Sequence, residues 1–355
     1  MVTGVTAWEP DVLTGYHQHT IELGADPEGE GDLFATLVRR GPAAQAPRAV
    51  LAVHGYTDYF FNTELADKFA ARGFAFYALD LQKCGRSWRD GQTPHFTTDL
   101  ARYHSELERA LTVIAQEAGG PAVCVYGHSA GGLIVTLWLD RLRRRGVTAA
   151  LGVDGLVLNS PFLDLHGPAI LRTAPTAAAL IALARLRKTS VVRKPSEGGY
   201  GATLHRDYGG DFDYDLSWKP LGGFPVTFGW INAVRRGQAR LHRGLDVGVP
   251  NLILRSDHSV SEKPGGAAAT EPDSIQRGDA VLDVALIARW TGCVGGTHTT
   301  IAPIVDAKHD VFLSLPEPRA EAYRELDRWL DRHLGAVNDG ASTTSTAESS
   351  ERHRH

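Results

Sequence analysis

The pentapeptide Gly127-His128-Ser129-Ala130-Gly131 constrains this chain more than any other stretch, because of what flanks it. Before it stands the apolar run Ala122-Val123-Cys124-Val125-Tyr126, and after it Leu133-Ile134-Val135-Thr136-Leu137-Trp138-Leu139. The first reads as a buried strand and the second as a helix, which puts Ser129 at the apex of a sharp strand-to-helix turn. A serine held there adopts a strained backbone conformation, and strand and helix approach closely only if the neighbouring positions lack bulk. Its hydroxyl then stands clear of the sheet, beside free N–H groups at a helix N-terminus that favour developing negative charge. The five residues alone are weak evidence, since Gly is about 7% of ordinary sequence. The strand before and the helix after carry the reading.

The rest of the chain supplies a sheet for that turn. Tyr16 to Arg40 alternates about a Gly/Glu/Asp-rich turn at Asp26 to Asp32, predicting an antiparallel hairpin. Arg48 to Val53 is a short apolar strand ending in His54-Gly55, followed by a helix over Glu64 to Arg72, a strand over Phe74 to Leu79 and a turn from Asp80 to Ser87. Helical spacing of Leu100, Tyr103, Leu107, Leu111 and Ile114 predicts a helix over Asp99 to Glu117. Gly155 to Asn159 is a further strand. This alternation predicts an α/β protein with a mostly parallel central sheet, right-handed crossovers and flanking helices. The cationic run Arg141 to Arg145 closes the helix after Ser129, where it complements the helix dipole.

Between Pro161 and Leu245 the alternation stops. That segment holds an Ala/Leu-rich stretch at Ala177 to Leu186, a Gly/Asp/Tyr loop at Gly198 to Asp215 and a short helix at Trp230 to Leu241. An insertion there sits above the C-terminal ends of the strands, where ligands bind, and is a candidate lid. Pattern returns with a strand at Val249 to Leu254, another at Thr300 to Val305 and an amphipathic helix over Pro318 to Leu334. The expected organisation is a core in two parts, 1–160 and 246–335, a cap over 161–245, and a tail over 336–355 whose Ser/Thr/Ala/Gly/Glu composition cannot order itself.

Composition removes several function classes. The 37 Lys+Arg against 41 Asp+Glu leave a formal charge of -4, without the basic excess of nucleic-acid binders. Cys84, Cys124 and Cys293 show neither CxxC nor Cys/His ligand spacing, which argues against structural zinc and against a disulfide framework and favours a reducing compartment. Met1 to Leu13 lacks a basic segment followed by an apolar one, and nowhere do about 18 uncharged apolar residues run together. The expectation is a cytoplasmic protein without stable membrane insertion. No cofactor or metal is called for, and the oligomeric state is left open.

A serine hydroxyl needs a general base within hydrogen-bond reach, and the base needs an orienting carboxylate. His309 follows the last expected strand and precedes the final helix, where a side chain can fold back over the sheet top. His54 and His128 are held by their own motifs, and His298 falls at the opposite end of its strand. The carboxylate belongs on the loop after the strand ending at Leu254, giving the chain order Ser, acid, His. Asp257 and Asp279 both qualify. For the oxyanion, Ala130 N–H follows the nucleophile, and Tyr56 N–H follows His54-Gly55. Tyr56, Tyr59, Phe60 and Phe61 either line an acyl pocket or pack their loop.

Taken together, His54-Gly55-Tyr56, Ala78-Leu79-Asp80-Leu81 through Cys84-Gly85-Arg86-Ser87, Gly127 to Gly131, Asn159-Ser160-Pro161-Phe162 and His309-Asp310 resemble one family. It is the α/β-hydrolase superfamily, specifically its monoacylglycerol lipase and lysophospholipase-like group of serine aminopeptidase type (S33). The resemblance covers roughly Tyr16 to Leu334. It implies the α/β-hydrolase fold with an inserted cap, Ser129 as nucleophile, His309 as base, Tyr56 and Ala130 as oxyanion donors, and Asp80 and Arg86 as turn-holding residues. It also favours Asp279 over Asp257. The Gly-x-x-Asp usual in the group is replaced by Arg255-Ser256-Asp257-His258, whereas the downstream Asp, Val-Leu-Asp run and helix reappear at Asp279, with Ser261 to Gly278 as an insertion.

The implied activity is cleavage of a carboxylic ester with an apolar acyl chain, of the monoacylglycerol, lysophospholipid or medium-chain class, through an acyl-enzyme. A peptidase or amidase would use the same three residues, and a binding protein could share the fold. Relatives that open epoxides or remove halides carry Asp in place of Ser129. Arg187-Lys188 and Arg193-Lys194 beside the apolar Ala177 to Leu186 raise a third reading, a lipid-surface protein.

Overall fold

The computed structural model describes residues 7–42, 45–165, 174–261 and 272–335. The tail expected over 336–355, part of the insertion expected over Ser261 to Gly278 and part of the cap therefore lie outside the described residues. Strands are β1 (Glu9–Pro10), β2 (Tyr16–Ala25), β3 (Asp32–Arg40), β4 (Arg48–Val53), β5 (Phe74–Asp80), β6 (Ala122–His128), β7 (Val153–Asn159), β8 (Val191–Arg193), β9 (Val226–Thr227), β10 (Asn251–Ser256) and β11 (Thr299–Ile304). The helices are α1 (Thr63–Ala71), α2 (His104–Ala118), α3 (Ala130–Arg144), α4 (Ala174–Leu186), α5 (Gly199–Ala202), α6 (Phe228–Leu241), α7 (Val284–Trp290) and α8 (Pro316–His333).

Nine strands form one sheet in the order β1-β2-β3-β5-β4-β6-β7-β10-β11. The first three pairings are antiparallel and every pairing from β5 to β11 is parallel. Helices cover both faces of the parallel part, which is why its strands read as unbroken apolar runs. Along β4, Ala49, Leu51 and Val53 face a core shared with α2, α3 and α6, through Leu107, Trp138 and Val234. Val50 and Ala52 face the opposite core, with Phe69 of α1 and Leu326 and Trp329 of α8. The hairpin β2–β3 carries a bulge between Glu22 and Gly24. Its turn is fastened by Asp26, which accepts from Glu28 N and Glu30 N and pairs with the buried Lys83 at 2.6 Å.

Among the described residues, 161–245 give no strand to this sheet; β8 and β9 pair only with each other. Helix α4 leaves Ile181, Leu183 and Leu186 exposed, the last by 83%. The expected helix from Asp99 divides into a 3-10 turn at Leu100–Tyr103 and α2, because the Asp99 side chain caps Ala101 N and tightens the first turn. No helix of the described residues is long and apolar enough to cross a membrane.

Candidate active site

Strand β6 ends at His128, and Ser129 turns the chain into α3 with φ 51° and ψ −118°, a conformation an L-residue keeps only when its surroundings impose it. Those surroundings are backbone at Gly131 and a mix of backbone and the Val135 side chain at Gly127. A Cβ on Gly131 would lie 2.2 Å from His54 O, and one on Gly127 would lie 2.7 Å from Val135 Cγ2 and 2.9 Å from Gly132 Cα. Ser129 N donates to Asn159 O at 3.0 Å, and Phe162 N donates to Ser129 O at 2.9 Å, so the ends of β6 and β7 fix the turn on both sides.

His309 occupies the loop between β11 and α8 and is 3% exposed. Its Nε2 lies 3.0 Å from Ser129 Oγ, and its Nδ1 lies 2.9 Å from Asp279 Oδ2. A carboxylate only accepts, so Nδ1 carries the proton and the Nε2 lone pair faces the serine hydroxyl. The other oxygen of the fully buried Asp279 accepts from Val281 N at 2.8 Å and Leu282 N at 2.7 Å. Next to His309, Asp310 Oδ1 accepts from Asn159 Nδ2 at 2.6 Å and from Phe312 N at 3.0 Å, while Asp310 N donates to the Tyr200 hydroxyl at 3.0 Å. The His309 loop is thus seated by β7 and by the inserted segment together.

Of the two acids named from sequence, the geometry brings Asp279 to His309 and leaves Asp257 at the surface. Asp257 Oδ1 takes His258 Nδ1 at 2.8 Å and Asp306 N at 3.0 Å. Asp257, His258 and Asp306 are also the one group among the described residues with donor types and spacing for a metal ion, within 4.8 Å of one another. Both Asp257 and His258 are exposed, and Arg277 already pairs with Asp306 at 3.2 Å.

Neither Tyr56 N–H nor Ala130 N–H donates to another group among the described residues. The two residues border one small cavity with His54, Cys84, His95 and Trp230. Gly55 lets this loop approach: a Cβ there would sit 3.0 Å from Ser129 Cβ. His54 is fixed by Leu81 N, which donates to its Nε2 at 3.0 Å. Burial pushes the ordinary values of His95 and His128 down and that of Cys84 well up, so all three are neutral near pH 7.

The aromatic residues after Tyr56 pack. Tyr59 and Phe61 join Leu204, Tyr214 and Leu313, and Phe60 joins the core on the α1 face. They also line a cavity of about 40 Å3 with Asp58, His128 and Asp310. Tyr56 packs on Trp230 with ring centroids 4.0 Å apart and the planes tilted by 45°. Asp80 and Arg86 hold the adjacent turn: Arg86 binds Asp80 at 2.9 Å and clasps both oxygens of Asp11, and Asp80 accepts from Phe60 N. Sequence reasoning missed Tyr200, Lys308 and Lys219. They lie far along the chain from what they touch and carry no local signal.

A largely parallel sheet, helices on both faces and a serine at a strained strand-to-helix turn below a buried histidine define an α/β-hydrolase fold. Residues 44–266, over half of the chain, match the serine aminopeptidase S33 family, and the protein belongs to that family of α/β hydrolases. Solved structures agree in fold. A soluble variant of the monoglyceride lipase of Saccharomyces cerevisiae, in complex with a substrate analog, is 16% identical, with TM-score 0.57, covering 94% of this chain and 96% of that one. The monoacylglycerol lipase of Paleococcus ferrophilus is 18% identical, with TM-score 0.55 and coverage of 89% and 99%. A thermostable carboxyl esterase from Bacillus coagulans is 13% identical, with TM-score 0.56 and the same coverage. No curated protein sequence matches the chain.

Proposed function

We propose that the protein is a serine hydrolase that cleaves carboxylic esters through an acyl-enzyme, with Ser129 as nucleophile, His309 as general base and Asp279 as the orienting acid. The observation that carries this reading is the unbroken chain from Ser129 Oγ to His309 Nε2 at 3.0 Å and from His309 Nδ1 to Asp279 at 2.9 Å, beneath a serine held at positive φ. His309 takes the hydroxyl proton as Ser129 Oγ attacks the ester carbonyl. The oxyanion forms against the N–H groups of Ala130 and Tyr56, each such donor being worth roughly 3–4 kcal/mol in the transition state. Collapse expels the alcohol with the proton from His309, and water, deprotonated by the same nitrogen, releases the acid.

The substrate class is an ester with an apolar acyl chain, of the monoacylglycerol, lysophospholipid or medium-chain kind. Its support is the lipases among proteins of the same fold, together with the exposed apolar side chains Ile181, Leu183 and Leu186 on α4 of the inserted segment. Residues 161–245 act as a cap over a core built from 1–160 and 246–335. Three free cysteines, two of them buried, fit a cytoplasmic setting. The test is hydrolysis of p-nitrophenyl esters from acetate to palmitate by wild type and by Ser129→Ala. Activity that the variant loses by at least a thousandfold supports the reading, and the chain-length optimum sizes the acyl site. Folded wild type that cleaves no ester but cleaves anilides moves the assignment to amide hydrolysis.

A further inference from the structure

Four consecutive residues of the loop after β4 are tied to the inserted segment. The Tyr56 hydroxyl donates to Pro225 O at 2.7 Å, Phe224 N donates to the Thr57 hydroxyl at 2.9 Å, Lys219 Nζ donates to Asp58 at 2.7 Å, and Asp215 N donates to the Tyr59 hydroxyl at 2.7 Å. Three of these contacts are neutral. The Asp58–Lys219 pair is ionic, and its side chains are only 10% and 12% exposed, respectively.

The place of that pair matters. Asp58 Oδ2 lies 3.5 Å from Gly55 N, one residue before the Tyr56 amide, and Asp58 borders a cavity with His54, His128 and Asp310. A buried carboxylate there opposes any negative charge forming at Tyr56 N–H and Ala130 N–H, through an interaction that water screens poorly. The groups facing it come from several elements: His54 just past β4, Cys84 and His95 in the loop after β5, Tyr126 and His128 of β6, Asp310 in the His309 loop, and Lys219, Tyr200 and Tyr214 in the inserted segment. His54 accepts a backbone N–H on Nε2 and burial keeps His128 neutral, so neither brings a full positive charge. Lys219 does. Burial alone would push the Asp58 carboxyl up, yet the Lys219 ammonium, the largest of the influences opposing burial, holds it below its ordinary value.

We propose that Lys219 is a positioning residue for the oxyanion loop: the inserted segment delivers its ammonium to Asp58, cancels that buried charge and fixes Gly55-Tyr56 so that the Tyr56 N–H faces the developing oxyanion. This rests on the serine-hydrolase reading above. It makes seating of residues 215–225 and completion of the oxyanion site one event. Access for substrate then falls to other parts of the cap, because this stretch cannot leave without exposing Asp58 unpaired.

The experiment measures kcat and KM for a p-nitrophenyl ester from pH 6 to pH 9, as ratios to wild type at each pH. Lys219→Met keeps the aliphatic stem and removes the charge. The expected result is a kcat at least tenfold lower at pH 9 with KM changed less than threefold, and a deficit that shrinks toward pH 6. The sign follows from the charge: without Lys219, burial raises the Asp58 carboxyl, which takes up a proton as pH falls and stops opposing the oxyanion. Adding Asp58→Asn to Lys219→Met should return kcat to within threefold of wild type, and Lys219→Arg should retain it. A merely structural role produces neither the pH-dependent ratio nor the reversal.

Wild-type kcat in Lys219→Met, or a deficit constant with pH and uncorrected by Asp58→Asn, overturns the proposal while leaving the Ser129 arm intact. Thermal melting of the same variants in the Ser129→Ala background gives a readout without turnover. There the Lys219→Met gap should widen from pH 5 to pH 8 and close on adding Asp58→Asn, and a gap that ignores both overturns the pairing on which the proposal stands. Wild type inert to esters and to a fluorophosphonate removes the hydrolase reading and this inference with it.

Discussion

Replacing Asp279 by Asn tests the arrangement at the point where two carboxylates compete. Asp279 Oδ1 accepts two backbone N–H bonds, from Val281 and Leu282, and Oδ2 accepts the His309 Nδ1 proton. An asparagine must keep its carbonyl oxygen toward the two amides, since its NH2 there would meet two donors. The NH2 therefore turns to His309 and requires Nδ1 as an acceptor, which places the ring proton on Nε2, facing Ser129 Oγ. A ring in that tautomer cannot take the serine proton. The expected loss in kcat is about ten-thousand-fold, or about 5.4 kcal/mol of transition-state stabilisation at about 1.36 kcal/mol per decade. The fold should survive, because both backbone bonds to the side-chain oxygen persist. The assay is kcat for p-nitrophenyl butyrate beside a thermal melt, with Asp257→Asn run in parallel. Asp257 sits at the surface with a side chain 34% exposed and bonds to His258 and Asp306 N, so its variant should stay within about threefold of wild type. Folded Asp279→Asn with more than a tenth of wild-type kcat, or an equal loss in Asp257→Asn, refutes the reasoning.

Gly131→Ala should lower the melting temperature by roughly 4 °C or more in scanning calorimetry, since its Cβ would lie 2.2 Å from a backbone carbonyl and overpacking against backbone costs about 3 kcal/mol or more; an unchanged melt removes the close-approach argument. Arg86→Met strands the carboxylates of Asp11 and Asp80, whose side chains are fully buried, and should cost about 3–5 kcal/mol in equilibrium urea unfolding. A loss below about 1 kcal/mol would show the Asp11–Arg86–Asp80 pairing to be replaceable by packing. Lys308, 3% exposed and donating to Thr203 O, has its ammonium pushed down to about 8 by burial. Above that pH the folded chain sheds a proton that the unfolded chain still holds, so stability rises with pH. Wild type should therefore gain melting temperature relative to Lys308→Met between pH 8 and pH 9.5, and a flat difference contradicts it.

The parallel strands were legible because helices cover both faces of the sheet, so Arg48–Val53 and Ala122–His128 spell apolar runs with no alternation to decode. β1, β8 and β9, of two or three residues, were not, because no period fits in so short a segment. Helix ends moved by one or two residues where a side chain caps, as Asn62 does for Leu65 N at the start of α1. Ser129 was legible for a local reason: the glycines that permit its strained turn stand two residues to either side, even though the groups that hold the turn, at His54, Asn159 and Phe162, are distant in sequence. The tethers from Lys219, Tyr200 and Lys308 were illegible for the converse reason. Each joins positions more than a hundred residues apart through a single side chain, and nothing near either end marks the partner.

Asp279 lies between these cases, and the way it reaches His309 explains why its distance from β10 in sequence is immaterial. Immediately past β10 the chain forms a bridge: Asp279 N donates to His258 O at 3.0 Å, and Val260 N donates to Asp279 O at 2.9 Å. Ser259 extends it, its hydroxyl donating to Leu282 O at 3.0 Å and accepting from Val284 N at 2.8 Å at the start of α7. The chain thus leaves after Val260 and returns beside it at Asp279. What fixes the carboxylate is the bridge and the two amides that follow, not the length of chain between. Closing a longer loop costs little, about 0.6 kcal/mol for each doubling, so an insertion at this point can grow without moving the acid. A spacing rule counted from the strand therefore lands on Asp257, whereas the Asp, Val-Leu-Asp run and helix mark the residue that the bridge places against His309.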